Sequence, residues 1–501
     1  MLLSLLFALL QVPAEAPLHL IVLHTNDVHG QALPRPATWL KEPGKESGGL
    51  ERLVAAVAAV RAEAAREGAE VLLLDGGDWF QGTPEGALDG GVAFARLLSQ
   101  VGYDAMVLGN HEFDLGLPPL LQLLEEAPIR ALCANLSQKE PDGSLTPVPW
   151  VEPARLFQRG GLDIAVIGLL TPSTPYISHP DARGLVFGEP AAAFRAARAA
   201  LPGGVELVLA LTHLGTEDDL ELARAVPDLP LIVGGHSHTF LREGIRQGQT
   251  LIVQAGSKAS ALGRVDLMLE RPSGRILSQN SRLIDLYEPA PADAVPAEFK
   301  RQLAQLVERG SASMDESVGE LVDVGPPGDR FATSGLGNWF TDSFRRAANA
   351  DLAVHNRGGI RKTLVVGPLA RRDLFEVMPF DNTLVVLELT GAELDKVFAK
   401  ALGGKERANL EFSGCLLEYR LDRDGLSQYV RAWKDGRPLE PERRYRLATN
   451  SFLARGGDRL FSDLGEPPFE DSGLLIREVL EAEVRAVGRV YFSPENRYLQ
   501  R

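Results

Sequence analysis

The chain has 501 residues, 45% of them hydrophobic and 24% charged, and a formal net charge of -15. This length exceeds what one hydrophobic core serves, so at least two domains are expected. The acidic balance and the lack of any Lys/Arg-rich stretch exclude a nucleic-acid polymer or an anionic membrane surface as partner. A small phosphorylated substrate would have to be met by local arginines or bound metal.

The first segment, "MLLSLLFALLQVPAEAP", is apolar and then small-residue rich, too short to span a bilayer and suited to a cleaved secretory signal. Cleavage is expected after Ala14, which gives a signal over 1–14 and an exported chain, periplasmic or extracellular, without membrane insertion. The C-terminal "ENRYLQR" lacks a lipid-anchor tail. From residue 18 to about 285, apolar runs such as "LHLIVLH", "AEVLLLDGGD", "DIAVIGLL" and "VELVLALTH" alternate with helical patterns such as "GGLERLVAAVAAVRAEAARE". That alternation predicts an α/β layered domain over 15–290. A Pro/Ala-rich stretch with one helix follows as a linker over 291–315. Helix and strand patterns beyond it predict an α+β domain over 316–501. Cys133 and Cys415 lie in strand-like apolar settings far apart and read as buried thiols.

Chemistry gathers where the apolar runs end. Asp27 and His29 follow the first run; Asp78 closes "LLLDGGD"; Asn110 and His111 close "MVLGNHE"; His213 closes "LVLALTH"; His236 and His238 close "LIVGGHSH". Residues two apart in a strand face one side, so Asp27 with His29, and His236 with His238, are expected to project together. Ligands of open α/β sheets bind at the carboxyl ends of strands. Each fragment alone is a weak signal. Mixed nitrogen and oxygen donors at five strand ends, flanked by glycines, point to a metal site. Gly76, Gly77 and Gly82 are expected to leave room for a phosphate. His19, His24, His179 and His355 have no comparable context and read as structural.

The ordered set "DVH", "GGDWFQG", "GNHEFD", "THLG" and "GGHSH" resembles the calcineurin-like metallophosphoesterases, in their 5′-nucleotidase/UDP-sugar hydrolase branch. The resemblance implies a layered β-sandwich flanked by helices, followed by a 5′-nucleotidase-type α+β domain. It implies two divalent ions, with manganese, zinc, cobalt and iron all suited to the donors. Asp27, His29 and His238 would hold one ion, Asn110, His213 and His236 the other, and Asp78 would bridge them. His111 would face the phosphoryl group as a catalytic residue with Asp114 behind it. Two such ions roughly 3.5 to 4 Å apart acidify a shared water and clamp phosphoryl oxygens.

The C-terminal motifs "GDRFATSGLGNWF", "HNRGGIR", "VMPFDNT" and "NSFLARGGDRLF" resemble the substrate-binding domain of that branch. By that resemblance Phe380 and Phe452 sandwich a nucleobase and Asp458 holds the sugar hydroxyls. Arg330, Asn356 and Arg361 meet phosphate or sugar oxygens. Arg357 and Arg459 depart from the family pattern and add positive charge near the expected pocket. The implied activity is hydrolysis of nucleoside 5′-phosphates such as AMP, extending to ADP and ATP. A UDP-sugar diphosphatase, or a 2′,3′-cyclic-nucleotide phosphodiesterase with 3′-nucleotidase activity, would use the same parts. A nucleotide-binding scavenger without turnover is the non-enzymatic alternative, against which the His111/Asp114 pair argues. Oligomeric state is open.

Overall fold

The computed structural model describes residues 16–37, 44–312, 314–465 and 467–501; the expected signal over 1–14 lies outside the described residues. Two six-stranded sheets face each other in the N-terminal half. The first runs in the order Ile276–Asp285, Ala261–Leu269, Leu18–Thr25, Glu70–Asp75, Ala105–Val107 and Ala131–Leu132. The second runs in the order Ile245–Gln247, Thr250–Val253, Leu231–Val233, Leu207–His213, Leu162–Leu170 and Ala154–Arg159. The central strands of each are parallel, as Leu20↔Glu70 and Ile164↔Leu207 register shows.

Alternation explains the layering. In Leu18–Thr25, Leu20 and Val22 enter the core between the sheets with Leu72, Val166, Leu209 and Val233. Ile21 and Leu23 point the other way, to the helices Leu50–Glu67, Val92–Ser99 and Leu117–Glu126. Both faces are dry, so the strand reads as a continuous apolar run, and each fully buried aliphatic side chain contributes about 1.5–3 kcal/mol. Helix Leu50–Glu67 buries Leu50, Leu53, Val57, Val60 and Ala64 at helical spacing and ends at Gly68, whose φ of 68° closes the helix in the left-handed region. Pro190–Ala199 and Thr216–Ala225 cover the second sheet.

The helix within 291–315 is Ala297–Ser311, and it packs Phe299, Leu303 and Leu306 into the first sheet's helical layer. It is therefore docked on the N-terminal half. Beyond it a five-stranded sheet runs Leu410–Ser413, Leu352–Asn356, Arg444–Asn450, Thr383–Thr390 and Phe469–Leu475. Helices Gly335–Ala347 and Ile476–Val487 cover one face, and Gly391–Leu402 covers the other. The last begins with a capping box, in which Thr390 Oγ1 accepts from Glu393 N at 3.3 Å and Glu393 Oε2 accepts from Thr390 N at 2.7 Å. Cys133 and Cys415 are free and buried. Among the described residues no helix is long and apolar enough to cross a membrane.

Candidate active site

Asp27 and His29 lie beyond the strand that ends at Thr25, and His236 and His238 lie beyond the strand that ends at Val233. Strand alternation therefore does not bring either pair together. Instead Asp27 (φ 53°), His29 (50°), Asp78 (60°), His236 (78°) and His238 (54°) all occupy the left-handed backbone region. Non-glycine residues rarely adopt it, and their concentration in one place marks loops coiled to aim side chains inward. The loops follow strands of both sheets: Asp27, His29, Asp78 and Asn110 come from the first, His213, His236 and His238 from the second. Gly76, Gly77 and Gly82 give room to neighbouring loops. A Cβ at Gly76 would lie 2.9 Å from Gly234 O, at Gly77 2.8 Å from Gly109 N, and at Gly82 2.6 Å from His29 O.

The donors converge in two groups that share Asp78. Ligand atoms of Asp27, His29, Asp78 and His238 lie within 4.8 Å of one another, as do those of Asp78, His213 and His236. Asn110 Oδ1 joins the second group, 3.2 Å from His213 Nε2. Backbone carbonyls fix two imidazoles. His29 Nδ1 donates to Gln81 O at 2.8 Å and His213 Nδ1 to Gly76 O at 2.6 Å, so each Nε2 presents a lone pair inward. His29 Nε2 consequently faces His238 Nε2 at 3.1 Å, and His213 Nε2 faces Asp78 Oδ2 at 3.1 Å. Asp27 is fully buried, and its Oδ1, which makes no hydrogen bond among the described residues, faces His238 Nε2 at 3.1 Å. Converging lone pairs and an orphaned carboxylate oxygen are what a cation would satisfy, and imidazole, carboxylate and amide donors suit borderline divalent ions.

Electrostatics agree. Burial, with the nearby Arg361 charge, drives His29 well below its ordinary pKa, and burial lowers His236 to about 4, so both are neutral donors. Burial opposes charge on His213, but the Asp78 carboxylate lifts its pKa to about 10, so positive charge is favoured beside Asp78.

His111 stands apart from the donor groups. Its Nδ1 is 2.5 Å from Asp114 Oδ2, and its Nε2 is 4.0 Å from Asp78 Oδ2. Burial disfavours its charge, but Asp114 and Asp78 together raise its pKa above the ordinary value. It opens into a cavity of about 470 Å³ between the two halves, which Asn110, Asp114, His236, Asn356, Arg361, Phe380, Phe452 and Asp458 also line. Phe380 stacks on His111 with ring centroids 5.5 Å apart and planes at 19°, and the Arg361 guanidinium lies 5.8 Å from the centre of the Phe380 ring. Arg361 Nη2 also reaches His29 Nε2 at 3.2 Å.

Arg330 is outside the cavity lining; it is exposed, donates to Glu406 O and sits 5.9 Å over Phe331. The two departing arginines are likewise engaged elsewhere. Arg357 pairs with Glu411 at 3.1 Å and donates to Asp329 O and Ala332 O. Arg459 lies 3.7 Å over the Tyr176 ring, across the boundary between the halves.

A calcineurin-like phosphoesterase profile matches residues 20–240, and a profile of the 5′-nucleotidase C-terminal domain matches residues 318–465. Protein UshA of Escherichia coli (strain K12) is 31% identical over 93% of this chain and 90% of its own. The chain belongs to the 5′-nucleotidase family of calcineurin-like phosphoesterases. Protein UshA of Yersinia enterocolitica is 30% identical over 92% of this chain and 90% of its own. The crystal structure of a 5′-nucleotidase precursor from Thermus thermophilus superposes with a TM-score of 0.82 at 30% identity, covering 96% of this chain and 99% of that one. The enzyme type is a phosphoric ester hydrolase, and members of the calcineurin-like group use two divalent ions, for which the two donor groups sharing Asp78 fit.

Three features of this 5′-nucleotidase-family site escaped the sequence. Glu112, beside His111 in "GNHE", is buried and accepts from the backbone N–H groups of Asp78 (3.0 Å), Trp79 (2.8 Å) and Gly109 (2.7 Å), which fixes the Asp78 loop. Gln81 accepts from His29 through its backbone oxygen and donates through its side chain to Pro379 O at 3.0 Å, joining the halves. His179 and Arg183 line the cavity, although His179 read as merely structural. A carboxylate adjacent to the candidate catalytic residue His111 was the available signal for Glu112; the other contacts depend on how the halves dock.

Proposed function

We propose that the chain hydrolyses nucleoside 5′-phosphates to nucleoside and inorganic phosphate, with AMP-like substrates preferred. One observation carries this reading: His111, with Asn110 and His236 of the second donor group, lines the same cavity as the aromatic residues Phe380 and Phe452. Phe380 stacks on His111 with centroids 5.5 Å apart, which sets the proposed base clamp beside the proposed catalytic imidazole. We assign Asp27, His29 and His238 to one ion, Asn110, His213 and His236 to the other, and Asp78 to both. When bound, the ions supply Lewis acidity toward the phosphoryl oxygens and an acidified attacking water.

The chain's own groups do the rest. Asp114 accepts from His111 Nδ1 and keeps the imidazole protonated, so that Nε2 donates to the charge that grows on the phosphoryl and leaving oxygens. Arg361 and Asn356 meet phosphate or sugar oxygens. Phe452 and Phe380 clamp the base, and Asp458 accepts from the sugar hydroxyls. The test is phosphate release from AMP, ATP, 3′-AMP, 2′,3′-cyclic AMP and UDP-glucose, with and without chelator. AMP hydrolysis is expected to lead and to vanish on chelation; faster cleavage of UDP-glucose or the cyclic nucleotide would overturn the substrate reading. We also propose that the chain is exported, on the character of residues 1–14. N-terminal sequencing of the protein from its native source should begin just after Ala14.

A further inference from the structure

Behind the cavity wall, a buried row of polar groups can be oriented by donor and acceptor accounting. Asn450 is fully buried at the end of the strand Arg444–Asn450, and it caps the short helix Ser451–Ala454 that carries Phe452. Its Oδ1 accepts from the Leu453 backbone N–H at 2.8 Å. That backbone group can only donate, so the amide oxygen must face it and Nδ2 must face away. Nδ2 then lies 2.8 Å from His355 Nδ1 and 3.2 Å from Asn356 Oδ1, both of which have to accept. His355 can do so because burial lowers its pKa to about 3, leaving a neutral ring. Asn356 is thereby held with its oxygen toward Asn450 and its NH2 on the opposite side, toward the cavity that Asp458 also lines, where the amide favours the charged Asp458 carboxylate. Asn356 and Asp458 line the cavity; Asn450 does not.

We infer that Asn450 is a positioning residue for the sugar end of the site: it sets the Asn356 amide so that an N–H, and not an oxygen, meets Asp458. The carboxylate is then fixed to receive ribose hydroxyls, and the inference rests on that proposed role of Asp458. Helix capping alone would not require asparagine, because aspartate or serine caps as well. Only asparagine among these both caps with its oxygen and carries a donor long enough to reach Asn356. In Asn450→Asp the cap survives and His355 can change tautomer. Asn356, however, faces a carboxylate oxygen and must turn its NH2 inward, which points its own oxygen at Asp458.

The test compares AMP with its 2′,3′-dideoxy analogue in wild type, Asn450→Asp and Asp458→Asn. In Asn450→Asp the KM for AMP is expected to rise about tenfold, the scale of one net hydrogen bond, with kcat within about twofold. The KM for the dideoxy analogue, which has no hydroxyls to place, should stay as in wild type. Asn450→Ser keeps a capping oxygen, is too short to reach Asn356, and should show the same selectivity if the aspartate variant folds poorly. An equal rise on both substrates, or none on AMP, would overturn the positioning role. If Asp458→Asn discriminates between the substrates while the Asn450 variants do not, the sugar assignment stands and the inference falls. If Asp458→Asn fails to discriminate, both fall together.

Discussion

Phe452→Ala gives the cleanest reading of whether the C-terminal half selects the substrate. Stacking a base on an aromatic side chain is worth roughly 1–3 kcal/mol. In this structure one face of the Phe452 ring is already covered by Gly457, where an added Cβ would lie 2.5 Å from the ring. Only the other face is open to a base, which puts the loss in the lower part of that range, about 1–2 kcal/mol, or about 5- to 30-fold in KM. The substitution is preferable to Phe380→Ala because Phe380 stacks on His111 at 5.5 Å, so its removal would disturb kcat as well. Initial rates on AMP and on an aryl phosphate should separate the effects: KM for AMP rises, while the aryl phosphate, with no base to stack, responds far less. A melting curve accompanies them, since Phe452 packs at the edge of the C-terminal core. Equal losses on the two substrates would mean that the ring only holds the domain together, and the base-clamp reasoning would be refuted.

His111→Asn should lower kcat by about two to four orders of magnitude, while elemental analysis still finds two ions per chain. An emptied ion site in that variant would contradict the separation of His111 from the ligands. Because Asp78 belongs to both donor groups, Asp78→Asn should lose both ions together with turnover; retention of one full equivalent would argue against a shared carboxylate. Exhaustive chelation should abolish activity and manganese or cobalt should restore it, with full activity after verified metal loss as the opposing result. Glu112→Gln sets an NH2 against one of three backbone donors, an unmade buried hydrogen bond of about 1–3 kcal/mol. Its signature should be weaker ion retention on dialysis, and unchanged retention would remove Glu112 from the support of the Asp78 loop.

Local pattern made much of this molecule legible. Apolar runs such as Leu18–Thr25 and Leu207–His213 announced strands because both of their faces are buried, and the donors at their ends were visible as residue types. Their pairing into two sheets was not, since nothing in "LALTH" says which sheet it joins. The geometry of Asp27 and His29 departs from the strand pattern for a related reason. Period-two alternation applies within a strand, whereas the aim of these side chains is set by left-handed torsions beginning two residues past its end. The fates of Arg357, Arg459 and Arg330 were equally hidden, because a long flexible cation is placed by tertiary neighbours such as Glu411 and Tyr176.

The left-handed torsions of Asp27, His29, Asp78, His236 and His238 bear on the lifetime of the molecule as well as on its chemistry. Each disfavours the folded chain by about 1–2 kcal/mol, a heavy load against the roughly 5–15 kcal/mol by which a typical domain is stable. Ions held by the proposed ligands, which come from loops of two different sheets, would act as a keystone, and thermodynamic linkage gives its weight: free ion at about a hundredfold excess over its dissociation constant adds about 2.7 kcal/mol. Scarcity of the ion would then shorten survival against proteases as surely as it stops turnover, so the abundance of this chain becomes a function of the metal supply around it.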